Sequence, residues 1–597
     1  MVTQVSHEGL TSVEQSLVEH VGRGEWLDLA DGDEAVDEAA MRSWGKSRTC
    51  GATVIRDILR GRLAADPDPH GLRLRGARIT GRLDLENLTT DVNLELKDCF
   101  LEEGILAGNA RLASVDLGGC QIEHPVEPPL AADSLTCSAL DLDKVRVIGH
   151  AGGGAVRLLG AHISGQLSCI GADLRNDSGP ALNADGLQVG QSMFLRDGFT
   201  ARGNGVLGAV RLAGTHISGG LECDGADLRN DSGHALDAGG LQVSQSMYLR
   251  EGFTARGSGH DGAVLLVGAY IGGNLECDGA DLQNDYGPAL DADGLRIERA
   301  MFLRGGFTAR GSGHDGAVLL VGAHIGGNLE CDGADLQNDS GPALQAGGLQ
   351  VDQDMYLREG FMAIGGGEGV AVDLTGTRVG GALRFDSTLL EHTVDSHRRL
   401  AVDGLTYAGV PGLISPQGWR GLLRHGTPGY AAQPYQQLAA GYRALGDERQ
   451  ARETLMAQRD DQLARADTRW GERLWGWITK ITLGYGYQPW RALLFLGAVM
   501  VVSCVLAWSL GAHGALAQTS KTATPGRSCT VIQQVSVGLD LNLPVGTSVA
   551  RADCDLTSDA GSVTAAWLSV VGWVLRILAW AFAALFFAGF TGAVRKT

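Results

Sequence analysis

Apolar positions along this chain change period several times, and each change marks a different element. Val54, Ile55, Ile58 and Leu59 fall on one helical stripe between Arg48 and Leu63. The break ADPDPHG at 65–71 then closes a helical N-terminal segment over 1–65. From Leu72 the spacing drops to two: Leu72, Leu74, Ile79, Leu83 and Leu85 sit mostly at strand alternation. The octet from Gly76 to Leu83, GARITGRL, returns as GAHISGQL from Gly160 to Leu167. From about residue 150 the copying is strict. Cys169, Cys223, Cys277 and Cys331 recur every 54 residues, and Gly160, Gly214, Gly268 and Gly322 keep that register. So do Phe199, Phe253, Phe307 and Phe361.

A period this regular predicts a solenoid in which each unit packs on its neighbours. Every unit holds two related halves, GAHISGQLSCIGADL and GLQVGQSMFLRDGF, so it should form two coils of about 27 residues. Glycine, asparagine and aspartate at NDSG and ARGNG supply the turns. The fold class expected is therefore mainly β: a right-handed parallel β-helix over 66–386, regular over 150–386. Stacked at about 4.8 Å, the eight regular coils would span roughly 38 Å.

Beyond 386 the period disappears, and Pro411, Pro416 and Pro428 suit a linker over 387–430. Within 431–489, Tyr435, Leu438, Tyr442 and Leu445 form a helical stripe, Gly446-Asp447 a turn, and a charged helix follows. That hairpin looks like a single tetratricopeptide-type unit and would cap the β-helix. The remainder, 490–597, reads as a membrane domain. Ala492 to Leu510 contains no charge and is long enough to cross a bilayer. The second apolar stretch, Ala565 to Val594, is interrupted by Arg576. It reads as a span over 577–594 with an interfacial or re-entrant approach at 565–575; one tilted helix is the alternative.

Arg469, Arg473, Lys480 and Arg491 precede the first span, and Arg595 and Lys596 follow the second. The positive-inside rule then places both termini and the β-helix in the cytoplasm, and the loop 511–562 outside. The polar N-terminus, MVTQVSHEGLTS, lacks the layout of a signal peptide. Trp470, Trp475, Trp477, Tyr485, Tyr487 and Trp490 form an interfacial aromatic belt. Cys529 and Cys554 share the outer loop, where an oxidising compartment permits a disulfide; two unpaired thiols are the alternative.

Composition narrows the function classes. A formal charge of −20 disfavours nucleic acid as a partner. Eleven cysteines include no C-x-x-C pair, so no thiolate metal site is expected. The Cys169, Cys223, Cys277 and Cys331 column lies two coils apart, beyond disulfide reach, and reads as small buried side chains. His162, His216 and His324, with Tyr270 in the fourth copy, alternate with inward isoleucines and should face solvent. His260-Asp261 and His314-Asp315 lie in glycine turns without a positioned nucleophile. Asp177, Asp231, Asp285 and Asp339 make a ladder at one turn, and turn hydrogen bonding accounts for it better than calcium.

Three literal G-x-G-x-x-G matches begin at Gly203, Gly257 and Gly311. Each runs into a strand-like AVRLAG or AVLLVG where a dinucleotide site opens a helix, so they read as solenoid turns and no cofactor is expected. Thr482-Leu483-Gly484-Tyr485-Gly486-Tyr487 looks like the potassium-channel filter. Charged residues precede it and the first span follows it, which suits an interfacial turn.

The GADLRN and GADLQN segments resemble the A-(D/N)-L-x-x rhythm of pentapeptide-repeat proteins, locally and without consecutive runs. Over nearly its whole length the chain resembles a family of predicted actinobacterial membrane proteins. The shared features are the helical N-terminus, the G-A-x-I-x-G-x-L β-helix, YRALGDERQAR, GYGYQPWRALL and an F-x-G-F-T-G-like ending. Members are often labelled membrane-associated oxidoreductases, so the resemblance implies that activity as one alternative, without carrying over any catalytic residue. The residues themselves point to a membrane-anchored cytoplasmic scaffold that contacts lipid and binds a protein partner, its own copy included. A channel-like or mechanosensitive element is the remaining alternative.

Overall fold

Four short strands close one coil. In the first regular coil they are His162–Ile163, Leu167–Ser168, Asp173–Asn176 and Leu182–Asn183. Each pairs in parallel with its counterpart one coil on: His162 with Gln188, Leu167 with Met193, Asp173 with Thr200, Leu182 with Val210. The computed structural model describes residues 9–30, 38–64, 66–386, 390–465, 469–519, 527–540, 542, 554–556 and 562–596. It separates into two compact units, Met1–Leu445 and Gly446–Thr597.

The first unit is a parallel β-solenoid of about 13 turns. One ladder has 14 strands, another 13, and the first two strands of each coil share a 24-stranded sheet. At ordinary strand spacing the 13-strand ladder makes a rod of roughly 58 Å. The coils are not equal. From His162 to Gln188 the step is 26 residues, and from Gln188 to His216 it is 28. Two corners of the longer coil each hold one extra residue.

Core volume explains why the repeat needs two coils. Leu174, Ala201, Leu228 and Ala255 follow one another up the same inward row, large then small. Where that row is small, the residue two places earlier is Phe199 or Phe253; where it is large, that residue is Ala172 or Ala226. Each coil thus supplies one bulky and one small side chain, and all of these are fully buried.

The solenoid begins earlier and ends later than its sequence period suggests. Helices Ser12–Arg23 and Ala52–Leu59 occupy the N-terminal segment. Yet Leu27–Asp28 and Thr49–Gly51 are already strands, paired with Leu74–Arg75 and Arg78–Thr80. At the other end, the expected linker over 387–430 is not a linker. Leu390–His392, Leu400–Ala401 and Thr406–Gly412 continue the three sheets of the solenoid. The prolines misled because they occupy places a sheet tolerates: Pro411 lies on the last strand, and Pro416 opens the helix Pro416–His425 behind its Ser415 cap.

The exposed edge is then closed. Helix Gln433–Ala444 packs on the last strand, where Gln433 Nε2 donates to Leu405 O and Gln437 Nε2 to Tyr407 O, both at 2.8 Å. These side chains satisfy carbonyls that would otherwise template pairing with another chain. Gly441 lies directly over the Gly409 carbonyl, with no space for a β-carbon. The expected hairpin over 431–489 is accordingly divided. Its first arm belongs to the solenoid unit and its second, Glu448–Arg465, to the C-terminal unit.

The second unit contains helices Trp470–Leu483, Trp490–Ala512, Val531–Asp540 and Ser562–Lys596. Trp490–Ala512 and Val570–Thr591 are long and apolar enough to cross a membrane. The Ser562–Lys596 helix is unbroken over 35 residues, which corrects the division at Arg576 into a re-entrant approach and a short span. Arginine lowers local hydropathy but is a good helix former, so nothing interrupts the backbone ladder there. Phe495 stacks on Phe582 at 5.4 Å between the two long helices.

Candidate interaction face of the solenoid

The outward row of the second strand in each coil has a strict alternation that the repeat count alone does not reveal. Phe194, Glu222, Tyr248, Glu276, Phe302, Glu330 and Tyr356 are consecutive register partners. Two residues after each aromatic comes an arginine. The guanidinium groups of Arg196, Arg250, Arg304 and Arg358 lie 5.2, 4.3, 4.2 and 4.6 Å from the rings of Phe194, Tyr248, Phe302 and Tyr356. This is cation–π distance.

Each of these cations is also held by carboxylates from neighbouring coils. Arg250 reaches Glu276 and Asp224 at 2.9 Å, and Arg304 reaches Glu330 at 2.8 Å and Asp278 at 3.1 Å. The hydrogen bonds that Arg250 donates to Asp224 raise its pKa above the ordinary value, against the cost of partial burial. Arg250 and Arg304 are thus held from two coils, whereas Arg196 is held from one neighbouring coil by Glu222 and Arg358 from one by Asp332. Bases two coils apart repeat at roughly 9.6 Å.

Beside it runs the row of the first strand, with His162, Gln188, His216, Gln242 and Tyr270 in register and exposed. His162 Nδ1 lies 3.3 Å from Gln188 Oε1, and His216 Nδ1 lies 3.4 Å from Gln242 Oε1. His324 meets Asp352 at 3.2 Å. The histidines therefore engage neighbours one coil away and not one another. Among the described residues no cluster of three His, Cys, Asp or Glu side chains is arranged to hold a metal.

The remaining sequence candidates fall into the framework. Cys169, Cys223, Cys277 and Cys331 are at most 1% exposed, and burial pushes their thiols well above the usual range. They fill the coil interior as protonated, shielded side chains. The G-x-G-x-x-G at Gly203 is a corner between the strands Thr200–Gly203 and Val210–Arg211. A β-carbon on Gly203 would come within 2.7 Å of the Ala209 Cα. Cys529 and Cys554 are joined in a disulfide with their Cα atoms 6.3 Å apart.

Sequence reading stopped one residue short at the NDSG corner. Its aspartates are exposed, whereas Asn176, Asn230, Asn284 and Asn338 beside them are buried. Asn230 Nδ2 donates to Gly205 O at 2.9 Å in the coil before and to His234 O at 2.8 Å across its own corner. Its Oδ1 accepts from Ser232 N at 3.1 Å. The signal was the asparagine present in every copy of the corner.

On the fourth strand, Asp291 lies in register between Leu265 and Leu319. Burial there, reinforced by Asp293, Asp261 and Asp315, pushes its carboxyl up to about 6. A raised folded-state pKa contributes stability that is complete below the unfolded value, near 3.9, and lost as pH rises through about 6. Asp291→Asn keeps the Oδ1 that accepts from Asp293 N. The variant is expected to melt higher than wild type at pH 7.5 and no higher at pH 4. Equal midpoints at both pH values would refute the burial argument.

The chain matches no family model, no curated protein and no solved structure. What the fold and its face define is a class: a β-solenoid protein with two apolar helices, compatible with a scaffold anchored to a membrane.

Proposed function

We propose that the protein is a cytoplasmic scaffold anchored in the plasma membrane by Trp490–Ala512 and Val570–Thr591, and that the aromatic–glutamate stripe binds a protein partner. The stripe carries this reading. Seven consecutive coils present aromatic and carboxylate groups in strict alternation on one face, and a periodic partner surface would engage several of them at once. The charge of −20 favours a basic partner segment. Half-buried aromatics flanked by arginine suit interface anchors.

Orientation follows from charge. Arg469, Arg473, Lys480 and Arg491 before the first span, with Arg595 and Lys596 after the second, favour a cytoplasmic position for both ends. The Cys529–Cys554 disulfide agrees with an oxidising compartment for the segment between the spans. The resemblance to the actinobacterial membrane family fits the same arrangement.

A photoreactive amino acid in place of Tyr248 in the full-length protein tests the binding face in native membranes. A discrete adduct is expected from that position and not from Arg229 on the adjacent sheet. An adduct of twice the chain mass identifies a second copy as the partner. Absence of discrete adducts at Tyr248, Phe302 and Tyr356 alike would sink the proposal.

A further inference from the structure

The T-L-G-Y-G-Y segment is absorbed neither by the solenoid nor by its binding face. In the C-terminal unit, Gly484–Gly486 forms a single turn in which Tyr485 adopts a left-handed φ of 57°. That conformation is uncommon for a bulky residue and marks a place where surrounding structure holds the backbone. Here it places the Tyr485 hydroxyl 2.5 Å from Asp460 Oδ1, while Lys480 Nζ lies 2.8 Å from Asp460 Oδ2. Lys480 offsets the charge of Asp460. Burial, then the carboxylate, raises the Tyr485 pKa, so the phenol keeps its proton.

The turn walls a pocket of about 560 Å³. Its apolar side includes Leu455, Leu483, Leu585 and Ala588. Its polar side includes Arg459, Gln462 and Tyr485, and Arg459 bears the one formal charge among the described lining residues. Arg459 Nη1 donates to Gln462 Oε1 at 2.7 Å, a neutral partner, and no carboxylate pairs with it among the described residues.

Position supplies the second constraint. Leu585 and Ala588 belong to the apolar Val570–Thr591 stretch. Gly589, one residue on, packs against Leu483 and against Pro489 at the start of the other long helix. The pocket therefore lies at the shared end of both apolar helices. Trp475 lines the pocket and Trp490 opens the other long helix, both more than half exposed, which suits headgroup depth.

We propose that this pocket binds the phosphate headgroup of an anionic phospholipid, with Arg459 at the phosphate and an acyl chain along Leu585 and Ala588. The assignment rests on the membrane-anchored reading. Gln462 lines the polar side as a further hydrogen-bonding group, the Tyr485 hydroxyl being committed to Asp460, and no carboxylate stands among the described lining residues to repel an anion. An apolar wall leading onto a membrane helix suits an amphiphile better than a free ion.

The test is native mass spectrometry of the full-length protein, stripped of lipid in mild detergent and titrated with phosphatidylglycerol, phosphatidylcholine or inorganic phosphate. One phosphatidylglycerol is expected to bind in preference to phosphatidylcholine, and millimolar phosphate should not displace it. Arg459→Gln should reduce that preference about fivefold, the scale of one arginine near an anionic surface, and Arg459→Lys should retain most of it. Thr479→Trp, which fills the pocket without touching its charge, should expel the lipid while circular dichroism stays unchanged. Undiminished preference in both Arg459→Gln and Thr479→Trp overturns the site, and displacement by inorganic phosphate overturns the lipid assignment. Recovery of the protein from cells as a soluble species without detergent would instead refute the anchored reading itself.

Discussion

Truncating Phe307 to alanine is expected to destabilise the solenoid by about 3–5 kcal/mol, the cost of removing a fully buried aromatic ring. Phe307 is completely buried, and the inward residue two places on is Ala309, too small to fill the space that truncation leaves. The effect should be regional. In a stack where each coil contacts mainly its neighbours, a cavity weakens the coupling on both sides before it reaches the ends. Hydrogen exchange should show protection lost first in the coils around 282–340, with the N-terminal coils little changed. Phe307→Leu, which keeps much of the volume, should cost considerably less. Uniform loss of protection along the whole rod would mean that the unit unfolds as one body and that nearest-neighbour coupling is the wrong description.

The Asn230 corner should be nearly as sensitive, for a different reason. Asn230 is 2% exposed and serves three backbone groups, two carbonyls and one N–H, belonging to two coils. Alanine leaves all three without that partner, at about 3 kcal/mol in total when each buried unpaired group costs about 1 kcal/mol or more. Aspartate is the more informative change. Its ionised carboxylate would face the Gly205 and His234 carbonyl oxygens, acceptor against acceptor. Its folded-state pKa should therefore be raised, so Asn230→Asp should be least unstable at low pH and lose stability as pH rises through that value. The check is guanidinium unfolding of both variants at pH 4.5 and pH 7.5. If aspartate is tolerated equally at both, the asparagine is not the clamp between coils that its hydrogen bonds describe.

These two positions also separate what periodicity exposes from what it hides. The phenylalanines were visible because a large apolar residue in a fixed register must lie inside. The asparagines were not, because a polar residue in an N-D-S-G run reads as a solvated turn. Only their neighbours decide that Asn230 points in and Asp231 points out.

The sequence alone determined the parallel solenoid, its two-coil repeat, the burial of the cysteine column and the two apolar helices. All of these follow from side-chain period and length, which are properties of the chain itself. It missed the ends of the solenoid, because the strands at 27–28, 49–51 and 390–412 do not carry the residues of the repeat, although those at 390–412 still step on by 27 or 28 residues as the regular coils do. It divided the last helix at Arg576, because hydropathy registers a charge where the backbone registers no break. Tertiary structure decided the rest: which residues from separate copies stand side by side, as the aromatic–glutamate stripe does, and which meet in a pocket, as Arg459, Tyr485 and Leu585 do. Neighbours within one element are fixed by local geometry, whereas neighbours across elements exist only once the chain has folded.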